Sequence, residues 1–469
     1  MSYPSGLDAI VSDAGGERIL VAQTPLGISL PFASLEPGDW SHVDGREIKG
    51  AARAAAAVEH ETSVRVTMLY GTEWPKGDEA VRRVLRLHAF ECMDANADAV
   101  APYVWVDRSQ TTASEWVRPY MADAVAALVA LSDGCHRPVP WWVPGWAAET
   151  TAWLDERLAV AGVRRVGRLE QVKNGWQSIV MRAPTGDGDV YLKALAPPGS
   201  RELAVLRDVL APGPNVPTLL GLDAARGLVL MRDVGGVNPS ESARGSLTAE
   251  DLRALTEGYA RVQRSTANVA PGAVFDCRLE RMPALLSAVI DDLSSLLPDD
   301  ALAELDAARV RELVPAVARV CDAALRVDIP PHLVHADLDG NTVVTANGPV
   351  FYDWAAAYVS HPFLDVYEFE DSLRAATDVD GAEAAIGHYL NAWTDYAPIR
   401  ELRQVVTALS AIRSVPGLIK GAHCLRHLPS AESELRTMPY APLSQSAAAW
   451  QRSLVREIRR LPGDLAHVA

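Results

Sequence analysis

Val334 to Asp365 reads V-H-A-D-L-D-G-N-T-V-V-T-A-N-G-P-V-F-Y-D-W-A-A-A-Y-V-S-H-P-F-L-D. Two short apolar runs, Val343-Val344 and Val350 to Tyr352, flank Ala346-Asn347-Gly348. Asn-Gly between β-prone runs is a strong short-range hairpin signal, so the stretch is expected to fold back on itself. His335, Asp337, Asp339 and Asn341 precede the first run, and Asp353 ends the second. A hairpin brings its two ends together, so these carboxylates and the amide converge at one mouth. Hard oxygen donors gathered there suit Mg²⁺ together with a phosphate.

At 469 residues the chain exceeds one ordinary domain, and two or three are expected. Sixty Asp and Glu face 44 Lys and Arg, a net charge of −16. That balance argues against a nucleic-acid partner, whose phosphates would be repelled. No run of eighteen apolar residues is present, so no membrane partner is expected. The Met1 to Leu7 start has neither a basic nor an apolar segment, which predicts a cytoplasmic protein. Cys92, Cys135, Cys277, Cys321 and Cys424 are scattered without a C-x-x-C pair and read as buried small apolar residues.

Residues 1–140 alternate β-like runs with turns: Arg18 to Ala22, Val64 to Tyr70, Val84 to Phe90 and Tyr103 to Val106. A helix is expected over Ala113 to Leu131, which makes this region an α+β module. The prolines Pro138, Pro140 and Pro144 around Trp141 to Trp146 mark a boundary. The three tryptophans there read as an interdomain anchor, with a stacking platform as the alternative. Residues 147–236 then form a small strand-rich lobe. It holds a helix ending near Gly162, runs at Gln177 to Met181 and Val190 to Leu195 (with Lys193), a turn at Pro197-Pro198-Gly199, a helix starting near Arg201 (with Glu202), and a strand over Gly227 to Val234. Residues 237–469 read as helical apart from the hairpin. Thr248 with Asp251 predicts a capped helix whose Leu252, Leu255, Tyr259 and Val262 share a face. Further helices are expected over Ala284 to Leu297, Val310 to Leu325, Ala382 to Tyr396, Arg400 to Ser414 and Ser444 to Leu461.

Phosphoryl transfer needs a carboxylate at the attacking hydroxyl, oxygen ligands for Mg²⁺ and a cation on the nucleotide phosphates. Asp337, Asn341, Asp353 and Lys193 supply these types in the order of a two-lobed kinase, and no G-x-x-x-x-G-K-[ST] is present. At these residues the sequence resembles the aminoglycoside phosphotransferase family, small-molecule kinases of the protein-kinase-like fold. H-A-D-L-D-G-N is similar to that family's His-x-Asp loop, F-Y-D-W to its metal-binding aspartate, and H-P-F-L-D to the segment that follows. The resemblance covers about residues 147–469 and implies a bilobal α+β fold preceded by a separate module. It implies that Asp337 orients or deprotonates the substrate hydroxyl and that Asn341 and Asp353 bind Mg²⁺. It further implies that Lys193, held by Glu202, touches the ATP or GTP phosphates. Leu230 to Val234, with Met231 and Asp233, would be the adenine hinge, and Gln177 and Ser178 a phosphate contact. His335 would support the loop, and Asp365 would be structural. One departure is plain: Asn341 follows Asp337 by four positions, where the family's loop has five. Gly340 can take the tighter turn because it tolerates positive φ, or Asp339 shares the metal.

The implied activity is transfer of a γ-phosphate to a hydroxyl of a small polar molecule such as an aminoglycoside or nucleoside antibiotic. A sugar or amino-sugar kinase and a pseudokinase-like nucleotide-binding regulator are the alternatives. Glu368, Glu370 and Asp371 read as either acceptor contacts or a solvated helix face. In the first module, R-I-L-V-A-Q-T-P-L-G-I-S-L-P with A-A-R-A-A-A-A-V-E-H-E-T-S-V-R-V is similar to a Nudix hydrolase strand pair and signature helix. Ala56 and Ala57 stand where that helix would carry Arg-Glu, leaving Glu59 and Glu61. This implies an inactive cap serving packing, homodimerisation or coverage of the cleft.

Overall fold

The computed structural model describes residues 6–35, 43–44, 47–48, 51–72, 85–94, 97–134, 139–175, 177–196, 201–239, 247–267, 269, 274–427 and 446–466. Val84, Cys135, Pro138, Pro197-Pro198-Gly199 and Ser444, all invoked above, lie outside the described residues. The chain forms two compact units. The first draws on Met1–Pro197, Ala225–Met231 and Leu428–Ser446, the second on Pro198–Ala224, Arg232–His427 and Ala447–Ala469.

In the first unit, Gly6–Ser12 is the centre of a mixed sheet. It runs parallel to Leu85–Cys92 and antiparallel to Arg18–Thr24 and Phe32–Ser34. All seven of its residues are buried, yet the strand is hard to see in the sequence because Asp8 interrupts the apolar run. The Tyr120 hydroxyl bonds that carboxylate from a distant helix, and Arg118 lies 3.8 Å away. Ala51–Thr62 packs on this sheet through Ala51, Ala54, Ala55 and Val58. The expected helix over Ala113 to Leu131 needs correction. It begins at Pro119, and Trp116 instead bridges to Ile28 in extended backbone. Proline is tolerated in a first turn and excluded from a helix interior, so it sets that boundary.

A second sheet of this unit carries the small-lobe strands. Ser178–Thr185 and Gly188–Leu195 form a hairpin that opposes Val180 to Lys193. Leu228–Arg232 flanks it on one side and Glu170–Gly175 on the other. Glu47–Ile48, from the amino-terminal region, then pairs with Asn174 and Gly175, so one sheet runs through both regions. Side chains reinforce the join. Gln171 and Asn174, both buried, donate to the Met68 carbonyl at 2.9 and 3.0 Å, and Asn174 also reaches Leu69 at 3.1 Å. Trp141 is buried and donates to the Gly175 carbonyl at 3.0 Å, which makes it an anchor. Glu91 accepts from the Gly145 and Ala147 amides at the start of Trp146–Val160, and burial pushes its carboxyl up to about 7.

The second unit is mostly helical. Thr248 and Asp251 form the expected reciprocal cap on Ala249–Arg264, which buries Leu252, Leu255, Tyr259 and Val262. Other helices span Met282–Asp291, Ala307–Ala324, Val366–Ala376, Val379–Asn391, Ile399–Ser410, Ser414–Arg426 and Ser446–Ala466. The expectation over Ala284 to Leu297 divides at Asp292. Arg400 to Ser414 is likewise two helices that part at Ala411–Arg413. Three short strands, Phe275–Asp276, Tyr358–Ser360 and His332–Val334, form a small sheet from whose last strand the loop at Asp337 departs.

Candidate active site

The hairpin forms as Thr342–Thr345 against Gly348–Phe351, with a two-residue turn and Gly348 at φ +110°. Val237 extends it through two backbone hydrogen bonds of 2.9 Å to Val344. Gly236 is required there, because a Cβ would stand 2.5 Å from the Val344 carbonyl.

Asp365 organises the loop before the hairpin. It is 1% exposed, and its two oxygens accept from the backbone amides of His335 at 2.7 Å and Ala336 at 2.9 Å. The Tyr259 hydroxyl donates to the same carboxylate. Burial pushes Asp365 up to about 6, opposed by these donors and by the Lys420 charge. Ala336 is held at φ +62°, a left-handed conformation that costs a non-glycine residue about 1 kcal/mol. The paired amide bonds offset that strain and leave Asp337, the next residue, exposed. His335 is fully buried against Trp354, its ring centroid 4.4 Å away, and its Nε2 bonds the Tyr352 carbonyl at 2.9 Å. Gln263, also buried, ties the Leu333 and Pro362 carbonyls together and accepts from Tyr389. The signal for this support was a polar Gln263 one turn beyond Tyr259 on an otherwise apolar helix face.

The short interval from Asp337 to Asn341 closes as a compact turn. Gly340 takes φ +79°, with open space where a Cβ would stand. The Asn341 side-chain amide donates to the Asp337 carbonyl at 2.8 Å, and the Asn341 backbone amide bonds Leu338. Tyr352 then donates to the Asn341 carbonyl at 3.0 Å, adding one rung beyond Thr342 and Phe351. Asp353 follows directly in a left-handed turn, φ +58°, so Asn341 and Asp353 stand at the same end of the hairpin. Among the described residues no cage of three or more His, Cys, Asp or Glu side chains is found. Mg²⁺ characteristically takes one or two protein oxygens and completes its shell with phosphate and water, so an amide and a carboxylate fit it. The Asp339 carboxylate accepts from Ser372 at 3.4 Å.

The remaining expected residues divide between the units. Lys193, buried in Gly188–Leu195, Gln177, Ser178 and Met231 belong to the first, and Glu202 and Asp233 to the second. Glu202 is 1% exposed in the short helix Arg201–Ala204, which packs on the turn Trp354–Ala356. Asp233 accepts from the Gly235 amide at 3.0 Å and so shapes the glycine turn. In Val366–Ala376, Glu370 pairs with Arg374 at 2.6 Å. Glu368 is exposed as a residue, but its carboxyl end is crowded. Burial pushes it up to about 7, helped by Asp365 and opposed by Lys420.

A buried acid thus clamps the loop, an exposed aspartate stands on it, and an amide and a carboxylate share the mouth of the hairpin. The model of the phosphotransferase enzyme family (APH) matches residues 168–402, half of the chain, and the chain belongs to that family. It is a small-molecule phosphotransferase. Among solved structures, the chain is similar to the macrolide 2'-phosphotransferase of Brachybacterium faecium, at 17% identity over 64% of this chain and 97% of that one, TM-score 0.39. It is similar to a choline/ethanolamine kinase family protein of Mesorhizobium loti, at 20% identity over 69% and 98%, TM-score 0.41. It is also similar to a spectinomycin phosphotransferase, at 11% identity over 66% and 98%, TM-score 0.38. No curated protein matches the chain.

Proposed function

We propose that this phosphotransferase moves the γ-phosphoryl group of ATP or GTP to a hydroxyl of a small polar molecule, with Asp337 at the acceptor. The observation that carries the reading is the Asp365 clamp, which fixes the backbone on both sides of the Ala336 bend and presents an exposed Asp337 beside the Asn341 and Asp353 mouth. The acceptor oxygen would attack the γ-phosphorus as the bond to the β-phosphate oxygen breaks, and its proton would pass to Asp337. Asn341 and Asp353 would hold Mg²⁺, with Asp339 as an additional ligand, and bound Mg²⁺ would neutralise charge on the nucleotide phosphates. Lys193 would bind the phosphates and Glu202 would hold its ammonium in place. Gln177 and Ser178 would add phosphate contacts, and the backbone at Met231 and Asp233 would take the base. The pools of ATP and GTP make the reaction a cytoplasmic one.

A nucleotide-consumption screen tests this. The full chain with Mg²⁺ and ATP or GTP is offered aminoglycosides, nucleoside antibiotics, sugars and amino sugars. Hydroxyl-dependent release of ADP or GDP, with a phosphoryl group found on the acceptor, is expected. Nucleotide binding that needs no Mg²⁺ and gives no turnover on any of them would favour the regulator instead.

A further inference from the structure

The second unit carries cations that the transfer chemistry leaves unused. Lys420, His423 and Cys424 fall at helical spacing in Ser414–Arg426, and His427 continues their row at its end. The Phe275 ring centroid lies 5.0 Å from that of His423, which lies 4.3 Å from that of His427. The Arg201 guanidinium stands over Phe275, 5.4 Å from the ring centroid. Arg201 and Lys420 both act on the Cys424 thiol. Lys420 also acts on Asp365 and Glu368, and Glu368 lies within the field of Asp337. The row therefore runs from Lys420 to Arg201, whose helix Arg201–Ala204 packs on the turn that follows Asp353.

Counter-ions decide what this row can hold. Arg253, Arg264, Arg278, Arg281, Arg374 and Arg426 of the same unit each face a carboxylate within 4.0 Å. Among the described residues Arg201, Lys420, His423 and His427 form no ion pair. Arg201 is half-buried, and desolvation lowers its pKa, with only the Cys424 thiol acting in opposition. A desolvated cation without an anion is costly, and a bound oxyanion would remove that cost. His423 is held neutral, its pKa pushed down to about 4 by burial and by Arg201, His427 and Arg426, so it serves as a hydrogen-bonding group. The carboxylates nearby are already engaged: Glu370 by Arg374, Asp339 by Ser372, and Glu368 by the Lys420 charge and the Leu338 backbone. An amine would have to compete for them, whereas an anion would meet Arg201, which among the described residues faces no carboxylate.

We infer that Arg201, Lys420 and His423 form an oxyanion-binding wall beside the acceptor position, so the hydroxyl compound phosphorylated here carries a carboxylate or phosphate group of its own. This rests on the phosphotransferase reading. A guanidinium fork suits two oxygens of such a group, and Lys420 adds a point charge.

Two measurements on the full chain test it. In the first, nucleotide consumption is compared for glucose, glucosamine, gluconate and glucose 6-phosphate. The anionic pair is expected to give the higher kcat/KM. Arg201→Met should raise their KM about tenfold or more, and Arg201→Lys should restore part of it. Preference for glucosamine, or an unchanged preference in Arg201→Met, overturns the inference. In the second, inorganic phosphate is titrated without nucleotide while thermal unfolding is followed. Phosphate should raise the Tm of the wild type and much less that of Arg201→Met or Lys420→Met. Equal shifts overturn the inference even if no acceptor is consumed. Arg201-dependent phosphate binding with no turnover on any compound would instead sink the phosphotransferase reading and leave the anion site standing. Arg201→Met should melt no lower than wild type, which separates ligand loss from misfolding.

Discussion

Asp365 shows how much one buried carboxylate does for the loop that carries Asp337. In Asp365→Asn, an amide NH₂ replaces one acceptor oxygen opposite the His335 or Ala336 amide. A loss of about 2 kcal/mol of stability is expected in urea unfolding, together with a large fall in activity. Ala336→Gly, by contrast, relieves the strain of φ +62° and should be tolerated. The pH dependence separates function from stability. Asp365 has a folded pKa of about 6 against an ordinary 3.8, so the folded chain holds this proton more tightly than the unfolded one. Its contribution to stability is present in acid and is lost as pH rises through about 6. The amide clamp needs the ionised form, so kcat/KM should fall below about pH 6 without any loss of stability from this group. Asp337, Asn341 and Asp353 could be picked out because their residue types and spacing flank a recognisable turn. Tyr259, Arg201 and Lys420 could not, because each acts on residues far away in the sequence, and Gln263 showed only as a polar residue on an apolar helix face.

Among elements, Glu170–Gly175 is the strand through which the amino-terminal region meets the small lobe. Asn174→Ala deletes both bonds to the Met68 and Leu69 carbonyls. The expected cost is about 1–2 kcal/mol of stability. If Gln177 and Ser178 touch the phosphates, KM for nucleotide should rise more than kcat falls, as steady-state kinetics would show. An unchanged KM would mean that Glu170–Gly175 is only structural. Elements were legible where turn chemistry was local, as at Ala346-Asn347-Gly348 and Thr248 with Asp251. They were not where a proline changed meaning with position. Pro416 sits in the first turn of Ser414–Arg426, where its missing N–H costs nothing, so V-P-G reads as a break although it begins a helix. Gly6–Ser12 was hidden because the partners that satisfy Asp8 lie in another element.

For the whole molecule, the sequence suggested a separable first module, and the structure joins it to the small lobe through a shared sheet. Glu59, one of the two acids left on Ala51–Thr62, pairs with Arg168 at 2.8 Å, a structural use of that carboxylate. Deleting residues 1–140 would uncover buried Gln171 and Asn174 and remove the Glu91 cap from Trp146–Val160. The truncated chain should therefore unfold at markedly lower temperature or aggregate, as calorimetry would show, whereas an independent module would leave its Tm unchanged. The proposed role of Asp337, serving the acceptor hydroxyl in phosphoryl transfer, decides what the molecule does. Its most direct test is Asp337→Asn in the full chain, with nucleotide affinity and acceptor phosphorylation measured on the same preparation. Nucleotide binding should be retained and phosphorylation nearly abolished, and a variant as active as the wild type would rule out this role for Asp337.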